Sequence, residues 1–330
     1  MKRKYLFSFG RQGSEFKVSV LSLMLGLVIQ SSPAVILKGS GDPAYNTTPP
    51  TGALADSGWQ FQGQWGGFLG TPVAPQYFIA AKHVGGSVGQ DFVYGGVTYH
   101  TTDFWDDTNS DLRIWKVDGV FPSYASLYTQ SDELGKPLVV FGRGTQRGEE
   151  IFVNTVRTNY TTNVVNLKAL DISTKDARKE FPDATFKGGM MTVVSSDVVT
   201  NAELKGWKFG PGDGVMRWGE NQVISSSGCL VASFDTDGGS NEAFLSGGDS
   251  SGAVFIQENG VWKLAGINYA IEGPFGLTCD DPGFYGAIFD QSGLYHGSYL
   301  FPDDGHLKPV SFYASRISAH LPWIQSVIYQ

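Results

Sequence analysis

The sequence predicts an all-β protein, a sandwich or barrel of antiparallel strands, on three observations. Past residue 58, short apolar and aromatic runs alternate with turn signals roughly every ten residues. Glycine supplies 43 of the 330 residues and aromatics 13% of the chain, as expected of half-buried sheet faces joined by many turns. Helical periodicity is strong only at the C-terminal end.

The elements follow in chain order. Lys2, Arg3, Lys4, Arg11 and Lys17 make a long basic opening, and VSVLSLMLGLVI (Val18–Ile29) is apolar but too short to span a bilayer. Ser32 and Ala34 then sit like the small residues of an export cleavage site. Residues 1–34 are therefore expected to be a signal peptide and residues 35–330 the mature chain, secreted or periplasmic, with no stable membrane span after cleavage. That mature chain carries 19 basic and 31 acidic residues, a net charge of −12. Such a surface favours solubility and discourages nucleic-acid binding, which depends on neutralising phosphates. With 41% hydrophobic and 17% charged residues, the composition is that of a packed globular protein; a monomer is the expectation.

Residues 38–58, rich in Gly, Pro, Thr and Asn, read as an irregular lead-in. QYFIAAKHV, DLRIWKV, PLVVFGRG, EIFVNTV, MMTVVSS, NQVISS, GAVFIQ and WKLAGINYAI are the strand candidates. Residues 160–215 are polar and mixed, and are expected to form an insertion between strands. In AVFIQENGVWKLAGI, Asn259-Gly260 separates two strand-like runs and supplies the positive-φ pair of a type I′ hairpin turn. At the end, Ile317, Leu321, Ile324 and Ile328 form one helical stripe, with Pro322 marking a first turn or a kink. Cys229 and Cys279 are the only cysteines; in an exported chain the default for such a pair is a disulfide.

The segment LSGGDSSGAVFI (Leu245–Ile256) places two serines, Ser250 and Ser251, in a glycine-rich turn after Asp249. A serine hydroxyl is a poor nucleophile until a base takes its proton, and the base needs a carboxylate to fix its tautomer. Of the five histidines, His83 ends the strand-like run FIAAKHV before Gly85-Gly86, whereas His100, His296, His306 and His320 have no distinctive neighbours. Asp111 heads the alternating run of Leu112, Ile114 and Val117, with Asp106 and Asp107 as rivals.

His83, Asp111 and Ser250 occur in that order, in segments that resemble the chymotrypsin/trypsin-like serine proteases. AAKHV resembles the family's TAAHC, NSDLRIWKV its NDIALLKL and GDSSGAVF its GDSGGPLV. VVFGRGT resembles its SGWG strand-turn, and LAGINYA its GIVSWG strand, 16 residues separating Ser250 from Gly266 as in the family. SFYASRISAHLPWIQSVI resembles the C-terminal helix segment, with Tyr313, Arg316, Trp323 and Ile324 in register. The resemblance spans about residues 60–330, with 160–215 unmatched. It implies two packed six-stranded antiparallel β-barrels with a C-terminal helix, and endopeptidase action on a polypeptide substrate without a cofactor. His83 would be base then acid, Asp111 its orienting carboxylate and Ser250 the nucleophile. The N–H groups of Gly248 and Ser250 would form the oxyanion hole; the glycine there also decides for Ser250, since a nucleophilic Ser251 would put Asp249 in its place.

The chain departs from the family pattern at Lys82 (alanine), Val84 (cysteine) and Ser251 (glycine). No IVGG segment is present to supply the ammonium that pairs with Asp249; VILKG (Val35–Gly39) is a loose echo just after the expected cleavage site. The resemblance implies that the residue six before Ser250, Phe244, lines the base of the specificity pocket, where an apolar residue argues against a preference for Lys or Arg; Tyr269 and Ile271 are the other pocket candidates, Ile271 narrowing it where the family often has glycine. DTDGGSNE (Asp235–Glu242) lacks calcium-loop spacing, GRGTQRG lacks a phosphate-loop ending, and no Cys/His cluster has zinc spacing. The chain order His, Asp, Ser separates it from α/β-hydrolase esterases, which run Ser, Asp, His. The alternative is a protease-fold binding or adhesion protein that has lost catalysis.

Overall fold

The computed structural model describes residues 35–169 and 171–329, so the expected export signal, residues 1–34, lies outside the described residues. A first sheet uses β2 (Gly63–Trp65), β3 (Phe68–Ala74), β4 (Tyr77–Ala81), β5 (Asp91–Tyr94), β6 (Val97–Asp106) and β7 (Leu112–Val117), after a short β1 (Ile36–Leu37). These six close into an antiparallel barrel in the order β2-β3-β4-β7-β6-β5. Successive residues face opposite sides of a strand, and in β4 Phe78 and Ala80 join the aromatic cluster of the barrel while Tyr77, Ile79 and Ala81 join a second cluster: Phe78 stacks on Phe92 with centroids 3.9 Å apart, and Trp65 packs on Phe78 and Trp115. Gly63 makes room for that aromatic cluster, since a Cβ there would lie 2.2 Å from the Phe92 ring.

The second half is built from β8 (Pro137–Gly142), β12 (Arg217–Gln222), β13 (Leu230–Ser233), β15 (Ala253–Glu258), β16 (Val261–Ile271) and β20 (Ser311–Arg316). They form one curled sheet ordered β12-β8-β15-β16-β20-β13. The second of the two expected six-stranded barrels takes the form of a curled half-barrel. The reason lies at its edge, where β12 is already occupied by the segment leading into β14 (Ala243–Phe244), with the Glu220 N–H donating to the Asn241 carbonyl at 2.8 Å. The Asn221 side chain then spans the gap to β13, donating to the Ser233 and Ala243 carbonyls. Asn259 and Gly260 turn the β15–β16 hairpin with φ of 52° and 79°, the type I′ signature.

Inserted in sequence between β8 and β12 of this half-barrel is an arm that begins earlier than residue 160. β9 (Thr145–Asn166) and β11 (Met190–Gly212) pair antiparallel from Thr145↔Gly212 to Asn166↔Met190, with α1 (Thr174–Glu180) and β10 (Thr185–Lys187) at the tip. β17 (Gly286–Ile288) joins its base, and β18 (Tyr295–His296) pairs with β19 (Tyr299–Leu300) nearby. The C-terminal helix α2 covers Leu321–Ile328 with Pro322 in its first turn. Tyr313 and Arg316 of the helix-like segment belong instead to β20, because Tyr313 pairs with Val231 and Ala270. Together these elements, a closed barrel, a curled half-barrel and a terminal helix, are consistent with the chymotrypsin-like fold. Among the described residues, no helix is long and apolar enough to cross a membrane.

Candidate active site

The register of β4 against β7 brings two of the expected site residues together. Ala81 pairs with Leu112, so the residues just past that pair, Lys82–His83 and Asp111, lie side by side, and the Lys82 N–H donates to the Asp111 carbonyl at 2.8 Å. His83 sits on a single 3₁₀ turn, Lys82–Val84, ended by Gly85 at φ 72°. Asp111 receives the His83 backbone N–H on Oδ1 at 3.0 Å and stands 2.5 Å from His83 Nδ1 through Oδ2. The other ring nitrogen, Nε2, lies 2.8 Å from Ser250 Oγ in the β14–β15 turn. The side chain of His83 is 44% exposed and that of Asp111 20%, so the base faces solvent while its carboxylate is sheltered.

The rival carboxylates are bound elsewhere. Asp106 takes a two-point contact from Arg113 at 2.5 and 2.8 Å. Asp107 is buried, and burial pushes its carboxyl up, but bonds from Ser110, the Asn109 N–H and His320 outweigh this and hold it below the usual range. His320, which has no distinctive neighbours in sequence, stands 2.6 Å from Asp107 and helps fix the loop that carries Asp111. Lys82 does the same from the other side, its Nζ donating to the Asp107 and Ser110 carbonyls at 2.8 Å each. Neither role has a signal in sequence, since both join the loop 107–111 between β6 and β7 to residues distant in the chain.

In the serine turn Gly248 has φ 100°, a conformation that favours glycine. Among the described residues, neither its N–H nor that of Ser250 is taken by a protein acceptor. Asp249 is fully buried behind them, and its carboxylate accepts from the backbone N–H of Gly144 (2.6 Å), Ser246 (2.7 Å) and Val35 (3.1 Å to each oxygen), and from Ser246 Oγ (2.9 Å). Burial pushes it up to about 6 despite those bonds. Val35, Ile36 and Leu37 are buried with it, and β1 pairs with β14.

Beside Ser250 lies a cavity of about 100 Å³ lined by Leu245, Ser246, Gly247, Asn268, Tyr269, Ala270 and Ile271. Tyr269 and Ile271 are among its lining residues. Phe244 is not: it is fully buried in β14 opposite Ile36, packed on Phe234 and Phe312. The count from Ser250 falls one residue inside the core because β14 ends at Phe244 and the wall starts at Leu245. The expected disulfide is also absent, and both cysteines are free. Cys229 lies beside the hydroxyl of Tyr269, whereas Cys279 is exposed in a turn fixed by Asp281 accepting from Leu277 and Thr278. Bracketing the serine turn in sequence does not bring the two thiols together.

Scans of protein-family models and of curated proteins give no match for this chain. Among solved structures, one titled "Atomic resolution structure of HBP" is similar over 83% of this chain and 94% of its own, with 11% identity and a TM-score of 0.44.

Proposed function

We propose that this chain is an exported serine endopeptidase of the chymotrypsin type, with Ser250 as nucleophile, His83 as base and acid, and Asp111 as the orienting carboxylate. The observation that carries the reading is the unbroken chain of contacts Asp111 Oδ2–His83 Nδ1 (2.5 Å) and His83 Nε2–Ser250 Oγ (2.8 Å), within the reach proton transfer needs. Asp111 fixes the tautomer with its proton on Nδ1, leaving Nε2 to take the Ser250 proton as Oγ attacks the scissile carbonyl. The carbonyl oxygen becomes an oxyanion facing the N–H groups of Gly248 and Ser250. His83 then hands its proton to the leaving amine as the C–N bond breaks, leaving an acyl-enzyme. Water attacks that ester with His83 again as base, releasing the acid and restoring Ser250.

Two further features support it. The cavity beside Ser250, about 100 Å³, has no charged residue in its lining, which suits an uncharged side chain before the scissile bond. Val35, the first residue after the expected cleavage site, already has its N–H on Asp249; signal cleavage after Ala34 would turn that amide into an ammonium facing a carboxylate. The test is hydrolysis of an unfolded polypeptide by the chain beginning at Val35. Ser250→Ala and His83→Ala should each lower kcat by about 10⁴-fold or more, and Asp111→Asn by about 10⁴-fold. Cleavage undiminished in Ser250→Ala would refute the reading.

A further inference from the structure

Resting on that reading, we propose that Ser251, which stands where the resembling family has glycine, is a positioning residue that locks the nucleophile turn of the half-barrel onto the histidine strand of the closed barrel. Its Oγ accepts the backbone N–H of Ala81 at 3.0 Å, across 170 residues of sequence, and the contact is fully buried. Ala81 is the last residue of β4, two before His83, and Ser251 is the residue after Ser250. One hydrogen bond therefore ties the chain beside the base to the chain beside the nucleophile.

The Ala81 N–H needs that acceptor. The ladder between β3 and β4 ends at the pair Thr71↔Ile79, so Ala81 lies beyond the last β3 pair and its N–H goes to Ser251 Oγ instead. A buried backbone donor without a partner is costly. Ser251 meets the need while holding φ at 68°, in the left-handed region that L side chains rarely adopt. Its own N–H donates to the Asn268 carbonyl at 2.8 Å, and Asn268 Nδ2 reaches the carbonyls of Phe141 (3.0 Å) and Asp249 (3.3 Å). The turn is thus anchored to β16 and β8 in its own sheet and, through the Ser251 hydroxyl, to the opposite barrel. Glycine would relax the backbone yet leave Ala81 unpaired. The acceptor, not the backbone shape, is what the serine adds.

The test separates these two properties. Ser251→Ala keeps the strained side-chain-bearing backbone and loses the acceptor, whereas Ser251→Gly loses both. In the chain beginning at Val35, labelling by a fluorophosphonate and kcat for peptide hydrolysis should fall about tenfold in both variants, with KM within about twofold, as expected when a reacting pair is held less well. Ser251→Gly should nevertheless melt at a higher temperature than Ser251→Ala. A structural role alone makes activity follow melting temperature, so recovery of the full labelling rate in Ser251→Gly overturns the proposal. Labelling within twofold of the parent in both variants also overturns it and leaves the triad reading standing. A parent chain that is folded but takes no label overturns both.

Discussion

Asp249 sets the pH behaviour of the residues around Ser250. In a chain that continues before Val35, the donors to this carboxylate among the described residues are all neutral, and burial pushes it up to about 6. A carboxyl raised above its ordinary value near 4 gives stability that is full at low pH and lost as pH rises through about 6, amounting to roughly 3 kcal/mol. Urea unfolding should show that loss between about pH 4 and 7 when a residue precedes Val35. A chain beginning at Val35 should keep its stability over the same window, because its ammonium pairs with the ionised carboxylate. Ile271 sets the second residue-scale expectation. It lines the cavity beside Ser250, so Ile271→Gly should raise kcat/KM for an aromatic residue before the scissile bond about tenfold relative to alanine. Peptide substrates varied at that one position measure it.

The elements are held to the half-barrel by buried ionic contacts rather than by the missing disulfide. Lys205, near the base of β11, is 3% exposed and donates to Asp290 at 2.6 Å, Ser292 at 3.0 Å and Glu203 at 3.2 Å. Burial pulls its ammonium down, but Asp290 and Glu203 outweigh this and hold it above the usual lysine range. Lys205→Met would leave Asp290 buried without its cation, and chemical denaturation should show a loss of about 3–5 kcal/mol. Arg316 plays the corresponding part before α2, donating to buried Glu133 at 2.9 and 2.6 Å. Farther out, the arm has no such anchor visible in sequence. Its register puts Tyr160, Val164, Val194 and Val198 on one face, all exposed. That explains why residues 160–215 resist reading: periodicity reports burial, and a two-stranded ribbon with an exposed apolar face does not alternate as a core strand does.

At the scale of the whole molecule, legibility follows how local each constraint is. The type I′ turn at Asn259-Gly260 and the strand ends at His83 and Asp111 are short-range signals, and the β4–β7 register turns the latter into a site. The half-barrel's open edge depends on Asn221 and on a segment more than twenty residues later, which no local pattern reveals. Phe244 and the cysteine pair fail for the same reason, since a count or a bracket along the chain does not fix distance in space. Lys82 and Ser251, departures from the resembling pattern, become intelligible only when the carbonyls of Asp107 and Ser110 and the N–H of Ala81 are seen to need partners. The central claim joins these scales: two halves of the fold present one base and one nucleophile to each other. Mass-spectrometric mapping of a fluorophosphonate adduct on the chain beginning at Val35 tests it most directly. The adduct should lie on Ser250, and be lost in Ser250→Ala and strongly slowed in His83→Ala; an adduct on Ser251, or none on a folded chain, would contradict it.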